Sequence, residues 1–470
     1  MRKTKIICTI GPATADLQML KKLYAAGMNV VRLNMSHGDH ASHAAVIAAV
    51  RELNRGVTHP VALMLDTQGP EIRTGTLRND IELREGDVVT VNVRAGDDVE
   101  ETSFQINYED MLSTVGVGDR ITVDNGLINL EVLEKLERTL RCRVVDGGTL
   151  KSRRHVNLPG IKVNLPAITK KDERDILFGI RYGIDYVALS FVREADDVFK
   201  LRNLLARHGA EAVKIIAKIE DQEGVRNLES IIDRADAVMV ARGDLGVEIP
   251  LEQLPNVQRR IIEICAQKGK RVIVATHLLE SMIVNPLPTR AEVTDVANCV
   301  YEEVDAIMLS GETTIGKYPV RCVEFMNRIA LEAEKTVGMR FCAQLAVDVD
   351  KQHMASSAVQ LAESLKAPIV VITRRGVMAN YVANCRPSHS PIFAFTNDTN
   401  TCRQMALNFA TYADLIEFCD DAEATLQQAF DRLLAQGGAA AGDKVVVLSD
   451  VLNVDGVDAV LVRKVLQSQQ

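Results

Sequence analysis

The chain has no apolar segment long enough to cross a membrane. Of its 470 residues 47% are hydrophobic, yet no apolar run approaches the roughly 18 residues that a spanning helix needs. The basic start Met-Arg-Lys-Thr-Lys leads into a brief apolar run that meets Gly11-Pro12, which indicates a strand and a turn rather than a signal peptide. We therefore expect a cytoplasmic protein with no membrane partner.

An excess of positive charge is missing too. Lys and Arg number 55 against 63 Asp and Glu, giving a formal net charge of −8, which argues against general affinity for nucleic acid or anionic membranes. The nine cysteines include no Cys-x-x-Cys pair and no Cys/His spacing typical of a metal site, so we expect reduced, buried thiols. Phosphate ligands would have to be attracted by local basic groups and bound cations.

No Gly-x-Gly-x-x-Gly turn follows the first predicted strand, which argues against an open doubly wound sheet that binds a dinucleotide. Instead, eight strand–helix units can be counted outside one inserted segment, over roughly the 250 residues that a (β/α)8 TIM barrel occupies. The sequence therefore predicts an α/β protein built on such a barrel. Its predicted strands are 5–10, 29–33, 61–65, 186–190, 213–219, 237–240, 272–275 and 306–309.

Two further domains are predicted beside the barrel. Residues 70–167 alternate apolar and polar positions in short runs punctuated by glycine, which predicts a small all-β barrel or sandwich. A separate α/β domain is expected from residue 339 to 470, with strands at 369–373, 392–395, 415–418 and 445–448. The barrel itself is then assigned to residues 1–69 and 168–338.

The stretch 213–250 carries the strongest sign of chemistry. Its two predicted strands flank a predicted helix over 224–233, so they should be parallel neighbours. Lys218 and Glu220 lie on one face of the first strand, and Asp244 follows the second. A buried ammonium and two carboxylates are costly unless they pair with each other, a metal or a ligand. A magnesium site beside a phosphoryl group is one interpretation, and a structural ion pair is the alternative.

Polar side chains also follow seven of the eight predicted barrel strands, at the end where barrel active sites lie. They are Arg32, Asn34, Ser36, His37, Asp66, Thr67, Ser190, Lys218, Glu220, Arg242, Asp244, Thr276, His277, Ser310 and Glu312. Single members such as Ser190, His37 or His277 are more often loop or capping residues. Their concentration at one rim nevertheless predicts an active site.

Several segments resemble sequence blocks of the pyruvate kinase family. IIAKIEDQEGV resembles the family's active-site signature, and the other blocks, in the family's order, are RLNMSHG, LDTQGPEIRTG, MVARGDLGVEIP, ATHLLESMI, PTRAEVTDVANCV and IMLSGET…GKYP. The resemblance is strong over about residues 1–340 and only general beyond. It implies a glycolytic phosphotransferase that passes the phosphoryl group of phosphoenolpyruvate to ADP, giving ATP, and then protonates enolpyruvate to pyruvate. It also implies a cap that closes over the barrel and a homotetramer.

Position by position, the resemblance implies a role for each candidate residue. Glu220 and Asp244 would bind Mg²⁺ or Mn²⁺, and Lys218 would stabilise the phosphoryl group. The amides of Gly243 and Asp244 would hold the substrate carboxylate at the start of a short helix from Leu251 onward. The remaining implied contacts are Arg32 with the phosphate, Thr276 and Ser310 with the transferred proton, Arg73, Arg154, His37 and Lys171 with the nucleotide, and Asn34, Ser36, Asp66 and Thr67 with K⁺.

Near the active site, three positions bear on cation and nucleotide binding. Glu71 is the residue that K⁺-dependent members carry, so we expect K⁺ dependence; the alternative is a solvated loop acid. Gln68 replaces a lysine common in the family, and Arg154-His155 replaces Lys-Gly. Arg154 can still bind nucleotide phosphates, although Arg and Lys are not equivalent there.

The C-terminal domain departs furthest from the family pattern. Members activated by sugar bisphosphates have hydroxyl- and glycine-rich loops where this chain reads TRRGVMA (373–379) and SDVLNVDG (449–456). The side chains of Val377, Met378 and Ala379 offer no donors, and Asp450 would repel an anion. We expect weak or absent activation by fructose 1,6-bisphosphate. Arg374 and Arg375 are expected as a solvated surface pair, with a phosphorylated effector left as the alternative.

Two other functions are compatible with parts of this sequence. A magnesium-dependent pyruvate aldolase or lyase could use a similar barrel, but it would not need the β insert, the K⁺ oxygens or two phosphate-facing arginines. A catalytically inactive regulatory subunit would keep the fold alone, and the set Lys218, Glu220, Asp244 and Thr276 argues against it.

Overall fold

The computed structural model describes residues 1–93, 103–108, 110–449 and 459–466. Eight parallel strands close into a barrel in which the first strand pairs with the second and the eighth. The barrel strands are Lys5–Thr9, Val30–Asn34, Ala62–Asp66, Tyr186–Leu189, Lys214–Ile219, Ala237–Ala241, Arg271–Ala275 and Ala306–Leu309. The predicted (β/α)8 barrel is confirmed.

The barrel strands are short because each is buried on both faces. Alternate side chains point into the barrel, where Ile7, Met64 and Met239 pack together, or outwards against the helices, as Val31 and Leu63 do. Most charged residues of these strands lie at or next to their ends, and Arg32, in the middle of the second strand, is the exception. The carboxyl ends therefore hold the candidate site.

Helices surround the barrel, and several begin with a side-chain cap, as Thr169 does by accepting a hydrogen bond from the amide of Asp172. The α-helices are Leu17–Ala26, His40–Asn54, Lys170–Arg181, Ala195–Arg207, Gln222–Arg226, Leu228–Arg234, Arg242–Glu248, Leu254–Gln267, Arg290–Tyr301, Gly311–Thr314 and Pro319–Ala333, with 3-10 turns at Leu251–Gln253 and Glu280–Ile283. The single helix predicted over 224–233 is wrong. Asn227 divides it because its amide donates to the carbonyl of Arg193, 2.8 Å away.

The inserted cap is a six-stranded sheet with its own apolar core around Val91, Phe104 and Leu130. In spatial order its strands are Val156–Asn157, Arg120–Val123, Ile128–Lys135, Thr139–Asp146, Val88–Asn92 and Ser103–Gln105; a separate pair joins Ile81–Leu83 to Gly148–Leu150, and a short helix spans Met111–Thr114. That helix was not predicted. The cap's two connections to the barrel meet at Asp172, which accepts hydrogen bonds from the amides of Gly69 (3.1 Å) and Thr169 (2.9 Å).

The C-terminal domain is a five-stranded sheet with helices packed on it. In spatial order its strands are Thr411–Leu415, Ile392–Thr396, Ile369–Ile372, Lys444–Ser449 and the antiparallel Ala459–Lys464; its helices are Asp350–Leu365, Val377–Asn384, Thr399–Gln404 and Ala422–Ala435, with 3-10 turns at Phe341–Gln344 and Met405–Leu407. The strand predicted at 415–418 is wrong. The strand begins four residues earlier, at Thr411, and pairs with Ile392–Thr396. Tyr412 and Asp414 interrupt the apolar pattern there, so the sequence did not indicate a strand at this place.

Buried ion pairs join this domain to the amino-terminal end of the barrel. Arg386 donates to both carboxylate oxygens of Asp305, at 2.7 and 2.6 Å, just before the eighth barrel strand. Arg403 contacts Asp185 at 2.9 Å, just before the fourth. The C-terminal domain therefore covers the end of the barrel opposite the candidate site. Every helix in the described ranges is too short or too polar to cross a bilayer.

Candidate active site

Lys218 lies at the centre of the cluster on the carboxyl rim of the barrel. Its Nζ is 3.1 Å from Asp66 Oδ1 and 3.0 Å from Glu220 Oε1, and it donates to Ser190 Oγ at 2.7 Å. Burial alone would lower the pKa of Lys218, but the charges of Asp66 and Glu220 outweigh burial and raise that pKa above its usual value. The ammonium is therefore charged across the physiological pH range.

Arg32 shares the carboxylate of Asp66 with Lys218. Its Nε donates to Asp66 Oδ2 at 2.6 Å, and Nη1 donates to Thr9 Oγ1 at 3.0 Å. Burial would raise the pKa of Asp66, but the two cations keep it below its usual value. A fully buried carboxylate thus fixes two cationic side chains at the mouth of the barrel, where an anionic substrate can reach them.

Glu220 and Asp244 carry negative charge that their surroundings do not fully compensate. Glu220 is 1% exposed and accepts a hydrogen bond from the amide of Phe191 at 2.6 Å. Burial raises the pKa of Glu220 to about 7 and also raises the pKa of Asp244, although Lys218 opposes both shifts. This donor set fits a hard divalent cation. No three Asp, Glu, His or Cys side chains in the described ranges are arranged to hold a metal, so an ion here would take its other ligands from substrate and water.

The four residues assigned to K⁺ lie on the ends of the second and third barrel strands. Asn34 is the register partner of Asp66, and Asn34 Oδ1 accepts a hydrogen bond from the amide of Ser36 at 3.1 Å. The carbonyl oxygen of Thr67 accepts a hydrogen bond from Ser190 Oγ at 2.7 Å. Hard oxygens on neighbouring strand ends fit a small monovalent cation.

Thr276 adopts a backbone conformation that β-branched residues rarely take, with φ of 67°. Its hydroxyl accepts a hydrogen bond from the Gly243 amide at 2.9 Å and donates to the carbonyl of Ala275 at 2.6 Å. Gly243 and Asp244 belong to the helix Arg242–Glu248, which begins directly after the sixth strand. The expectation that these amides open a helix at Leu251 is wrong, because only a 3-10 turn begins there.

Ser310 ends the eighth strand. Its amide donates to Glu312 Oε2 at 2.7 Å, and Glu312 Oε1 accepts from the Leu279 amide at 3.1 Å. The buried hydroxyl oxygen of Ser310 has no hydrogen-bond partner in the part of the chain that the structure describes. Glu312 therefore links the end of the eighth strand to the loop that carries Thr276.

Three of the four candidate nucleotide ligands contact neighbouring groups of the protein. Arg73 Nε donates to Glu71 Oε2 at 2.7 Å, and Lys171 Nζ donates to the carbonyl of Met35 at 2.6 Å. Arg154 is 3.4 Å from Asp124, and His37 is exposed. The alternative interpretation of Glu71 as a solvated loop acid is wrong, because its side chain is 14% exposed and also accepts from Gln68 Nε2 at 2.9 Å.

Two contributors to this rim were not predicted, and a third was predicted only as part of the polar set. The third is Ser190, which taken singly is more typical of a loop or cap but bonds to Lys218 directly. Thr9 is a polar residue at the end of the first strand, the one strand for which the sequence indicated no polar end. His155 reaches the site from the cap, and its Nδ1 lies 3.9 Å from Asp244 Oδ1. Ser190 and Thr9 can be recognised as candidate site residues because they lie at strand ends. No local feature of the sequence identifies His155 as one.

The closed barrel, the inserted cap and the cationic rim define the class as a barrel enzyme, and the comparisons assign it among the phosphotransferases. The family model for the pyruvate kinase barrel domain matches residues 1–323, and that for the pyruvate kinase alpha/beta domain matches residues 352–459. Plastidial pyruvate kinase 2 of Arabidopsis thaliana is 44% identical over 95% of this chain and 78% of its own length. A pyruvate kinase of Geobacillus stearothermophilus is also 44% identical, over 96% and 78%.

The chain belongs to the pyruvate kinase family, and it is a phosphotransferase. The family predicted from the sequence motifs is confirmed over both the barrel and the C-terminal domain. The comparisons give no support to an aldolase or lyase.

Proposed function

We propose that the chain transfers the phosphoryl group of phosphoenolpyruvate to ADP and then protonates enolpyruvate to pyruvate. The observation that carries this proposal is the buried, charged Lys218 between Asp66 and Glu220, with Arg32 on the same Asp66. Two fixed cations beside two under-compensated carboxylates suit a reaction that depends on positioning and charge compensation.

In this proposal Lys218 and Arg32 bind the phosphoryl oxygens in line with ADP. Glu220 and Asp244 would hold Mg²⁺ or Mn²⁺, which when bound supplies charge neutralisation for the substrate oxygens. The amides of Gly243 and Asp244 bind the substrate carboxylate. Gly243 already donates to Thr276, so substrate binding must share or replace that hydrogen bond.

Thr276 is proposed to orient enolpyruvate for protonation at carbon, and Ser310 is proposed as a member of the proton relay. Thr276 is fixed by two hydrogen bonds and a strained backbone, so its hydroxyl is held in one place. The unpaired hydroxyl of Ser310 is free to bind a water or a substrate oxygen within the site. These two properties are what a short proton relay needs.

The nucleotide is proposed to bind between barrel and cap, against Arg73, Arg154, His37 and Lys171. Arg73 and Arg154 lie on the cap side of the cleft, and Lys171 begins the helix that follows the cap. Closure of the cap (70–167) over the barrel (1–69 and 168–338) would exclude water from the phosphoryl group.

Initial rates with phosphoenolpyruvate, ADP and Mg²⁺ test the reaction. We expect equal amounts of ATP and pyruvate, formed only when ADP is present. Pyruvate formed without ADP would favour a lyase, and no turnover at saturating substrates would favour an inactive subunit. Either result would overturn the proposal.

We propose that turnover depends on K⁺ bound by Asn34, Ser36, Asp66 and Thr67. Support comes from their adjacent positions and from Glu71, which is fixed by Gln68 and Arg73 near the same strand end. Rates in potassium buffer should greatly exceed those in Tris or lithium buffer at constant Mg²⁺ and ionic strength. Equal rates in all three buffers would contradict the proposal.

The C-terminal domain (339–470) is proposed to serve assembly into a homotetramer and regulation, with weak or no response to fructose 1,6-bisphosphate. Arg374 lies over the ring of Phe418 at 5.3 Å, and Arg375 is exposed; Val377 and Met378 lie within a helix. Asp450 and the rest of 450–456 lie outside the described residues. The half-saturating phosphoenolpyruvate concentration should stay constant when the bisphosphate is added, and a large fall would contradict this proposal.

A further inference from the structure

A second cavity lies beside the active site, between the barrel and the hinge segment, which we define as residues 155–165 of the chain leaving the cap. Its volume is about 150 Å³. Apolar side chains form much of its wall, among them Ile72, Leu158, Ile161 and Phe191. Such a wall suits a compact apolar group rather than bulk water.

Several of the polar groups that line this cavity are hydrogen-bond acceptors. Asn157 is 4% exposed, and its Nδ2 donates to Glu248 Oε1 at 2.8 Å. The other atom of the same amide, Asn157 Oδ1, is buried and has no hydrogen-bond partner in the described residues. A buried carbonyl oxygen left unpaired costs free energy, and a donor supplied by a ligand would recover it.

Two carboxylates complete the acceptor set. Asp221 and Glu248 both line the cavity. Burial, with the neighbouring charges of Asp221 and Asp244, raises the pKa of Glu248 to about 7. Asp221 Oδ1 accepts a hydrogen bond from the amide of Gly224 at 2.7 Å. Both carboxyl groups would gain from a cation at this place.

The basic side chains around the cavity are engaged elsewhere. Arg193 Nη1 donates to the carbonyl of Val163 at 2.6 Å, and its Nη2 donates to the carbonyl of Leu165. Lys162 Nζ is paired with Glu223 at 2.6 Å. Arg226 Nη2, also at the cavity, donates to Gln222 Oε1 at 3.3 Å. The acceptors at Asn157, Glu248 and Asp221 therefore face a space whose arginine and lysine side chains contact other groups.

We propose that this cavity binds a small organic cation, a primary ammonium or amidinium carried on a compact apolar body. The cationic end would donate to Asn157 Oδ1 and to the carboxylates of Glu248 and Asp221. The apolar body would pack on Ile72, Leu158 and Phe191. Nothing in the proposed reaction uses this cavity, so its occupant is a separate ligand.

Such a ligand would connect the cap to the helix that carries Asp244. Asn157 lies in the last strand of the cap, and Glu248 is the last residue of the helix Arg242–Glu248. A molecule held by both would favour one position of the cap. We expect the bound ligand to change the half-saturating concentration of phosphoenolpyruvate, an expectation that rests on the proposed function.

Calorimetric titration of the full chain with benzylamine tests the site, in excess Mg²⁺ so that the ammonium does not compete at Glu220 and Asp244. Benzyl alcohol is the neutral control of nearly the same shape. We expect saturable binding of one benzylamine per chain, with benzyl alcohol at least tenfold weaker. Equal affinities for the two probes, or no binding of benzylamine, would overturn the proposal.

Glu248→Gln removes the charge and keeps an acceptor for Asn157, so benzylamine affinity should fall at least fivefold. Glu252→Gln, an exposed change nearby, is the matched control and should leave affinity unchanged. Asp221→Asn serves as a second variant should Glu248→Gln fail to fold, as judged by its melting temperature. Unaltered affinity in a folded Glu248→Gln or Asp221→Asn variant would overturn the site. Because binding is measured without turnover, its failure is distinguishable from failure of the proposed reaction.

Discussion

Lys218 is kept charged by its neighbours although it is buried. Asp66 and Glu220 lie 3.1 and 3.0 Å from Nζ, and Ser190 accepts its third contact. The same geometry that stabilises the ammonium leaves it at the rim, where it can be shared with an anionic ligand. We therefore expect the loss of Lys218 to affect the rate of the reaction more than the stability of the fold.

Replacing Lys218 by Met should reduce phosphoryl transfer by at least about 100-fold, because one fixed charge-stabilising group is worth that much. Protonation of supplied enolpyruvate, followed by NMR exchange at the methyl carbon, should persist. Lys214→Met, at the opposite end of the same strand, is the control and should retain activity. A Lys218→Met enzyme with normal ATP formation would contradict the assignment.

Lys5 is a buried lysine, and none of the carboxylates that the structure describes is in direct contact with it. It is 1% exposed, donates to the carbonyl of Thr411 and lies 4.4 Å from the centre of the Tyr412 ring. Burial, reinforced by the charge of Arg2, lowers the pKa of Lys5 to about 7. Between pH 7 and the usual lysine pKa, the unfolded chain thus binds a proton that the folded chain does not.

Stability should therefore rise with pH above about 7 through Lys5, by roughly 1.4 kcal/mol per pH unit for this one group. Lys5→Met should remove that slope, so that the difference in urea midpoint between pH 7 and pH 9 becomes smaller than in the unaltered protein. Lys22→Met, an exposed change, should keep the slope. Identical pH dependence in all three proteins would show that Lys5 does not titrate in this range.

Most single residues of the site could be predicted from their positions at strand ends. Lys218, Glu220 and Asp66 stood out because charge in a short apolar strand needs a partner. Ser190 and Thr9 did not, because hydroxyls are common in turns and their partners are distant in sequence. His155 could not be predicted, since only folding of the cap brings it to Asp244.

At the scale of elements, the helix Lys170–Arg181 fixes the base of the cap. Its capping box pairs Thr169 with Asp172, whose Oδ2 accepts from the Thr169 amide and hydroxyl at 2.9 and 2.6 Å. The other oxygen of Asp172 accepts from the Gly69 amide at 3.1 Å. One buried carboxylate thus serves as a helix cap and as the anchor of both connections to the cap.

Asp172→Ala should lower the free energy of unfolding by about 2 to 4 kcal/mol, because it leaves buried donors unpaired. It should also raise the half-saturating concentration of ADP, because the cap loses a fixed base. Urea denaturation and initial rates measure the two effects. Asp196→Ala in an exposed first turn is the control, and a comparable loss there would show that Asp172 has no special role.

The predicted boundaries of helices and strands agree with the structure where the hydrophobic periodicity is clear. They differ from it where contacts between distant parts of the chain determine the local structure. The barrel strands were found to within a residue or two because buried runs of Val, Ile and Ala are distinctive. The helix predicted over 224–233 failed at Asn227, whose side chain bonds to a different loop. The edge strand Ala459–Lys464 escaped prediction because it pairs on one side only and is largely exposed.

At the scale of the whole molecule, two buried ion pairs in the described part of the chain hold the C-terminal domain to the barrel. Arg386 and Asp305 are 3% and 0% exposed, and their contact is bidentate. Asp305 also accepts from the amide of Val272 at 3.0 Å. Breaking the pair would leave the buried charge of Asp305 with only the longer contact to Arg271, at 3.5 Å.

Arg386→Met should therefore lower the free energy of unfolding by about 3 to 5 kcal/mol. The exposed pair of Arg55 and Glu52 offers a matched comparison, since Arg55→Met should cost less than about 1 kcal/mol. Urea denaturation of the two variants measures the contrast. Equal losses would show that burial does not govern the strength of these pairs.

The meeting of Gly69 and Thr169 at Asp172 means that the chain departs from the barrel and returns to it at nearly the same point. The cap is therefore an inserted domain, and the barrel is closed without it. Replacing the cap with a short linker between Gly69 and Thr169 should leave every barrel strand intact. An unrelated domain whose termini are adjacent could be inserted at the same place. The side chains proposed to bind the phosphoryl group thus belong to the barrel, and the inserted cap reaches them through contacts such as that of His155 with Asp244.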